Sequence, residues 1–317
     1  MACYVLLTKL SLAWKLIMNE TDFIQSTASS PASPREAGDD RWTTVIKPRS
    51  HWLDVSLVEL WQYRDLIRLF VRRDFVAQYK QTILGPLWFL VQPLLTTVAF
   101  TLVFGKIANI PTDGIPDFLF YLSGTVCWGY FSTSLILNAD TFVSNAGVFG
   151  KVYFPRLVVP LSVVISGLFK FLIQFGLFLI FLIYFFLKGS SVGLSIWALA
   201  LPLLVLQMSL LGVGCGILVS SLTTKYQDLR HLVNFGVQLW MYFTPVVYPL
   251  SAVPDSMRVV LSLNPMVGVV ECFRLGFVGV SAVNVKYVVI SWIVTLTILL
   301  IGLARFSSVE KTFIDTV

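Results

Sequence analysis

Two polar side chains lie within an otherwise apolar run, at a spacing that brings them together on a helix. Lys170 and Gln174 occur in the segment SGLFKFLIQFG, and side chains four residues apart share one face of a helix. An ionised side chain in such a run faces the interior of a helix bundle or water. The pair is therefore predicted to line a polar pathway or to meet a phosphate. Structural pairing of Lys170 with a neighbouring carbonyl group is an equally good explanation.

A second group of cations forms a regular stripe in LWQYRDLIRLFVRRDFVAQYK. Arg64, Arg68 and Arg72 recur every four residues, which places them on one face of a helix. Apolar residues recur on roughly the other face: Leu60, Tyr63, Ile67 and Phe70. Such a helix suits the headgroup layer of a membrane, where the stripe and Arg73 attract lipid phosphate. A solvated helix that packs on a soluble domain is the alternative.

The sequence contains no recognisable catalytic or metal-binding constellation. There are no paired carboxylates, no Ser/His/Asp or Cys/His set and no G-x-x-x-x-G-K-[ST] loop. His51 and His231 lie outside the apolar runs. The cysteines are far apart and are interpreted as reduced packing residues: Cys3, Cys127, Cys215 and Cys272. The chain is therefore predicted not to be an enzyme and to hold no cofactor or metal. If ATP drives its activity, ATP and magnesium would have to bind to a separate ATPase.

The composition is that of an integral membrane protein. Of the 317 residues, 56% are hydrophobic and 13% are charged, whereas soluble domains have about 25% charged residues. The net charge of +6 is expected in cytoplasmic loops and does not indicate nucleic-acid binding.

Six apolar runs indicate an all-α protein with six transmembrane helices. They are approximately Pro86–Phe104, Phe118–Leu137, Val158–Leu187, Val192–Leu222, Leu232–Tyr248 and Val285–Leu303. All but the fifth approach or exceed the roughly 20 residues that cross a bilayer. In the fourth run, Gly212 and Gly216 have the GxxxG spacing of close helix packing.

The region around the fifth run is predicted to depart from a regular span. Pro245, Pro249 and Pro254 follow one another, so the helix must break there. Between this break and the last run, Met257–Val280 is predicted to form two short helices that dip into the outer leaflet and return. Glu271 and Arg274 are three residues apart on the second of these helices and are expected to pair.

These patterns divide the chain into four predicted parts. Residues 1–54 form a partly disordered tail, and Met18 is an alternative to Met1 as the true start. Residues 55–83 form the amphipathic interfacial helix, which begins at an S-x-x-E capping box at Ser56 and Glu59. Residues 84–305 form the transmembrane domain and residues 306–317 a cytoplasmic tail. Cations near span ends number eleven against five in favour of both termini in the cytoplasm, on the sequence alone.

The energy source for transport is predicted by elimination. The six runs contain no Asp or Glu, which argues against proton or sodium coupling. A partner ATPase that contacts the loop from Asp140 to Arg156 is the remaining source, although this loop is as well explained as a connector.

Aromatic residues near span ends are either a membrane-interface belt or the lining of a channel: Trp88, Tyr121, Trp128, Tyr130, Trp240 and Tyr242.

Four segments, in order, give the chain a resemblance to a known family. They are YKQTILGPLWFLVQPLL (Tyr79–Leu95), GKVYFPRLVVPLS (Gly150–Ser162), TKYQDLRHLV (Thr224–Val233) and LNPMVGVVECFR (Leu263–Arg274). From about Trp52 onward the sequence resembles the permease subunits of type-2 ABC exporters for O-antigen, capsular polysaccharide and teichoic acid.

The resemblance implies a homodimer in the bacterial inner membrane, with two copies of a separate ABC ATPase and a lipid-linked glycan as cargo. It also implies ATPase-coupling residues in two segments: Asn145, Gly147, Phe149 and Lys151 in the first, and Tyr226, Asp228 and Arg230 in the second. It assigns no role to Lys170. An exporter of drugs or small lipids with the same fold, and a membrane-bound glycan-processing enzyme, are the alternatives.

Overall fold

Every regular element in the part of the chain that this computed structural model describes is a helix. The described residues are 57–80, 85–149, 151–152, 154–190, 192–223, 228–279 and 285–316. The helices are α1 (Leu57–Gln62), α2 (Arg64–Tyr79), α3 (Trp88–Phe100), α4 (Asp117–Ala139), α5 (Thr141–Phe149), α6 (Val158–Leu187), α7 (Leu201–Thr223), α8 (Leu229–Tyr242), α9 (Asp255–Ser262), α10 (Pro265–Phe277) and α11 (Val285–Thr316). The predicted tail, residues 1–54, and Ser56 of the capping box fall outside this part.

Four helical segments are long and apolar enough to cross a membrane. They are Trp88–Ile107, Val158–Leu187, Ile196–Thr223 and Val285–Ser308. The first is α3 with its π-helical extension, Thr101–Ile107, and the third is α7 with the 3-10 turn that precedes it. Helix α4 has 23 residues, roughly 34 Å at 1.5 Å per residue, but its Ser, Thr and Asn side chains make it less apolar. An all-helical membrane fold is confirmed, and six crossings stay a prediction.

Helix α4 lies at the centre of the bundle and packs tightly against α7. A Cβ atom on Gly212 would lie 2.7 Å from the Cβ of Ser134, and one on Gly216 would overlap the side chain of Asn138. Gly214 faces the opposite way, where its Cβ would lie 2.9 Å from the backbone of Leu299 in α11. The predicted close packing through GxxxG is therefore confirmed, with α4 as the partner helix.

The predicted break after the fifth run is present. Helix α8 ends at Tyr242, and helices α9 and α10 meet at an angle of 105°. At this bend Asn264 caps α10 by accepting a hydrogen bond from the Met266 amide at 3.1 Å, and Pro265 takes the first helical position. Proline is favoured there because the missing N–H would have no partner within the helix.

A single buried arginine connects α10 to this break and to α4. The Arg274 guanidinium lies 3.5 Å from the Glu271 carboxylate, as the spacing predicted. It also donates to the carbonyl oxygens of Phe120, Pro245 and Val246 and to the hydroxyl of Ser123. Both members of the ion pair are buried within protein rather than facing lipid. Non-helical backbone at this depth needs such donors, and Arg274 supplies them.

The last helix, α11, is fastened to α7 and α10 by hydrogen bonds between polar side chains. Gln207 donates to the Ser291 hydroxyl at 2.5 Å, and Ser291 donates to the Pro265 carbonyl oxygen at 2.6 Å. All of these groups are buried. The bonds therefore join the start of α10 to the first half of α11.

The N-terminal helical region is divided into two helices rather than the one predicted over 55–83. Helix α1 ends at Gln62, and α2 begins at Arg64. Ile67 and Phe70 of α2 are buried against Phe154, Val158 and Val159 at the start of α6. The apolar face therefore contacts the bundle, while the arginine stripe is exposed. Its position in the headgroup layer stays a prediction.

Candidate functional site

Two cavities lie side by side along α4 and share part of their lining. The first, here the inner cavity, encloses about 190 Å³ between α3, α4, α6 and α8. Its polar lining consists of Gln92, Thr96, Thr125, Ser132, Thr133, Lys170 and Gln174. The polar pathway predicted from Lys170 and Gln174 therefore coincides with a real cavity.

The second cavity, here the α5-side cavity, encloses about 350 Å³. It reaches Arg73 on α2 and Asn145 on α5, and Thr133 and Lys170 line it as well as the inner cavity. Together the cavities follow α4 from Thr125 to Asp140, roughly 22 Å at 1.5 Å per residue. Lys170 thus lies where the two cavities meet.

The Lys170 ammonium has no hydrogen bond and no ion pair to any residue that the structure describes. Its Nζ atom lies 5.4 Å from the centre of the Phe89 ring. Such a cation–π contact is worth about 2 kcal/mol when it is desolvated, less than the several kcal/mol that desolvation of an ion costs. Gln174 differs, because its amide donates to the Phe89 carbonyl oxygen at 3.2 Å. The expected pairing with a carbonyl is therefore found for Gln174 and not for Lys170.

The carboxylates of the α5-side cavity are each paired with an arginine. Asp74 lies 2.8 Å from Arg73, and Asp140 accepts from the Arg230 Nε at 2.6 Å. The second pair spans 90 residues of sequence and joins the end of α4 to the first turn of α8. It thereby connects the two segments that the resemblance assigns to ATPase coupling.

Helix α5 occupies the predicted coupling loop and is fixed to two transmembrane helices. The buried Phe142 ring stacks on Phe306 of α11, with ring centres 4.7 Å apart. The Phe142 amide also donates to the Ser220 hydroxyl of α7 at 3.4 Å. Helix α5 is therefore in direct contact with both α7 and α11.

The predicted coupling residues occupy different environments along this region. Asn145 is buried and its amide donates to the Thr141 carbonyl oxygen, whereas a Cβ on Gly147 would meet open space. Phe149 packs on Phe142 and Phe154. Lys151 and Asp228 are exposed, Arg230 is half-buried, and Tyr226 falls outside the described residues. Their contacts with an ATPase stay a prediction.

The six aromatic residues considered as a channel lining do not all face the same cavity. Trp128 lines the inner cavity and packs against Trp240, with ring centres 6.2 Å apart. Tyr130 is buried and shares a hydrogen bond of 2.7 Å with Ser209. Tyr121 is fully buried among other aromatic rings, while Trp88 and Tyr242 are exposed. Only Trp128, among these six, therefore borders the inner cavity.

Comparison with known proteins assigns the fold to a family. The sequence pattern of the ABC-2 type transporter family matches residues 65–278, more than half of the chain. This chain belongs to the ABC-2 type transporter family. The matched stretch includes both cavities' helices, α5 and the turn before α8.

Several curated proteins are similar over most of their length. An O-antigen export system permease protein RfbA from Klebsiella pneumoniae is 27% identical over 252 residues, which cover 79% of this chain and 94% of the relative. A protein of the same name from Myxococcus xanthus is 31% identical over 224 residues, covering 69% and 82%. The capsule polysaccharide export inner-membrane protein CtrC from Neisseria meningitidis is 27% identical over 264 residues, covering 77% and 92%.

One residue of this ABC-2 type transporter that contacts α5 was not singled out from the sequence. Arg156 is buried, and its guanidinium lies over the rings of Phe142 and Phe149 at 5.9 and 5.5 Å. In the sequence it is one of several cations near span ends. The PRL fragment in which it occurs was the available signal, since an arginine beside a proline and before an apolar run marks the start of α6.

Proposed function

We propose that this chain is the membrane-spanning subunit of an ATP-driven exporter that moves a lipid-linked polysaccharide across the inner membrane. The observation that carries the proposal is the similarity over nearly the full length of relatives named as O-antigen and capsule polysaccharide export proteins. Two cavities with polar linings beside a central helix, and a coupling-loop helix fixed to α7 and α11, support it.

The proposed arrangement has six crossings and both termini in the cytoplasm. Helices α3, α4, α6, α7 and α11 supply five of them. Helix α8 supplies the other, and residues 243–249 complete its length. Arg274 stabilises this non-helical stretch through the Pro245 and Val246 carbonyl oxygens. The bent pair α9–α10 enters the outer leaflet and returns, and α2 lies in the headgroup layer of the cytoplasmic face.

The proposed mechanism begins on a separate ABC ATPase, which holds ATP and magnesium. Two ATPase copies close on ATP and move α5 and the turn before α8 in a homodimer of this chain. The Asp140–Arg230 ion pair keeps these two segments together, and the Phe142–Phe306 stack transfers their displacement to α11. A path for the glycan then opens between the two copies of the permease.

The experiment that tests this function measures ATP hydrolysis in reconstituted membranes. The chain is assayed alone, with the ATPase encoded beside it, and with that ATPase and lipid-linked glycan. We expect hydrolysis only with the ATPase and a higher rate with glycan. An ATPase variant without its P-loop lysine is the control for background hydrolysis. An ATPase that neither binds the chain nor responds to glycan contradicts the proposal.

A further inference from the structure

We propose that Lys170 and the hydroxyl groups beside it bind the phosphate groups of a lipid carrier where the two cavities meet. The ligand class is an amphiphile with a phosphate or diphosphate headgroup. This inference rests on the proposed function and deepens it, because it gives the anionic part of the cargo a site inside the bundle. That site is separate from the exposed arginine stripe on α2.

Unused hydrogen-bond donors converge at this junction. Ser166 precedes Lys170 by one helical turn, lines the α5-side cavity, and has a buried hydroxyl without a hydrogen-bond partner. The Thr133 hydroxyl lines both cavities and makes no hydrogen bond to any described residue. Phosphate oxygens accept strong hydrogen bonds from an ammonium and from hydroxyl groups. Lys170, Ser166 and Thr133 all line the α5-side cavity, and we place the phosphate there.

The charges around the junction favour an anion. Lys170 is the one ionisable side chain among the residues that line the inner cavity. In the α5-side cavity Asp74 and Asp140 are present, but Arg73 and Arg230 already neutralise them. An unpaired cation in an apolar run raises the free energy of the folded protein, and such cations are characteristic of a substrate or ion pathway.

The surroundings favour an anion that belongs to a lipid. Next to the inner cavity, α3 and α6 present exposed apolar side chains outward, including Leu95 and Leu172. An acyl or prenyl chain can lie against these side chains while its headgroup lies where the two cavities meet. The α5-side cavity, which all three donors line, has a volume of about 350 Å³, and a water molecule occupies about 30 Å³ in the liquid, so a phosphate or diphosphate group has enough room.

The experiment measures binding of dodecyl diphosphate to the permease–ATPase complex in lipid nanodiscs. Lys170→Gln is expected to weaken binding on the order of 10- to 100-fold, the usual effect of losing a hydrogen bond to a charged group. Lys170→Arg, which keeps the charge, is expected to retain most of the affinity. Lys188→Gln is the matched control, since Lys188 ends the same helix, contacts the Tyr184 ring at 5.8 Å and lines neither cavity.

Three further ligands identify the source of the phosphate. Dodecanol lacks the anion, inorganic diphosphate lacks the chain, and phosphatidylglycerol represents an ordinary anionic lipid. We expect each to bind more weakly than dodecyl diphosphate, and dodecanol, which has no anion, to bind independently of Lys170. Equal, Lys170-dependent binding of phosphatidylglycerol or inorganic diphosphate would overturn the assignment to a carrier lipid.

A thermal unfolding measurement separates a binding role from a structural one. Lys170→Gln is expected to unfold at the wild-type temperature or above it, because it removes a half-buried charge that has no ion-pair partner among the described residues. A lower unfolding temperature together with weaker binding would overturn the inference. So would wild-type affinity in Lys170→Gln. If ATP hydrolysis still responds to lipid-linked glycan in that variant, the proposed function stands without this site.

Discussion

The two sides of α4 differ in whether the cations beside them have hydrogen-bond partners. Toward α7 and α10 the packing is close, and the guanidinium of Arg274 has a carboxylate, carbonyl oxygens and a hydroxyl as acceptors. Toward α3 and α6 there are cavities, and the Lys170 ammonium has one aromatic ring beside it. Both cations lie within apolar helices of the same bundle.

This difference separates a cation that holds the fold together from one that is available to a ligand. Every acceptor around Arg274 belongs to the chain, so its contribution is complete in the isolated protein. The acceptors that would satisfy Lys170 must come from elsewhere. Substitutions on the two sides should therefore differ in whether they change stability or function.

The largest effect on stability is expected from Arg274→Met. The substitution removes the ion-pair partner of the buried Glu271 and the donors to Pro245 and Val246, so the free energy of unfolding should fall by about 3–5 kcal/mol. Denaturation in detergent, followed by near-ultraviolet circular dichroism, measures this loss. Arg68→Gln is the matched control, since Arg68 forms a pair of the same spacing with Asp65 in which both side chains are exposed, and this variant should lose less than about 1 kcal/mol. Equal losses of unfolding free energy in the two variants would contradict a structural role specific to the buried Arg274.

A smaller loss is expected from Gly216→Ala, on the closely packed side of α4. The added methyl group would overlap the Asn138 side chain and lie 2.9 Å from the Leu135 carbonyl oxygen, which should cost about 1–3 kcal/mol. Gly176→Ala in α6 is the control, because a Cβ there meets nothing within 4 Å. That variant should be neutral, or more stable by about 0.5–1 kcal/mol. The same unfolding measurement compares them, and a stable Gly216→Ala variant would contradict close packing.

The ion pair on the cavity side should affect transport more than stability. Asp140→Asn and Arg230→Gln each remove a half-exposed pair, which is worth at most about 1 kcal/mol. Glycan-stimulated ATP hydrolysis should nevertheless fall several-fold, because the two coupling segments lose their connection. The exchanged pair, Asp140→Arg with Arg230→Asp, should recover part of the stimulation. A full response to glycan in the single variants would show that the connection is not used.

The smallest change in stability is expected from replacing all four arginines of α2 by glutamine. The side chains of Arg64, Arg68, Arg72 and Arg73 are exposed, and surface substitutions usually change stability by less than about 0.5 kcal/mol. Export of glycan should fall, since the stripe no longer attracts the lipid phosphate to the headgroup layer. Unchanged export at equal expression would remove that role from α2.

The sequence predicted the elements better than it predicted their contacts. Hydropathy and proline positions located α6, α11, the break after α8 and the bent pair, because each follows from local composition. The Asp140–Arg230 pair and the Phe142–Phe306 stack join residues far apart in sequence, and no local pattern marks them. Among the aromatic residues, periodicity could not separate the buried Tyr121 from Trp128, which lines the inner cavity.

The junction of the cavities illustrates the same limit. An isolated lysine in an apolar run was conspicuous in the sequence, but Ser166 and Thr133 were not, since hydroxyl groups are common in such helices. Whether a hydroxyl is already bonded depends on the neighbouring helix. The three-dimensional arrangement was therefore needed to recognise a group of donors without acceptors.

Helix α11 connects two distant parts of the bundle. Toward one end its Phe306 stacks on Phe142 of α5, and toward the other its Ser291 is hydrogen-bonded to the first residue of α10. No proline interrupts the helix between these points, which are roughly 22 Å apart at 1.5 Å per residue. Under the proposed function, a displacement of α5 would therefore reach α10 through one uninterrupted helix.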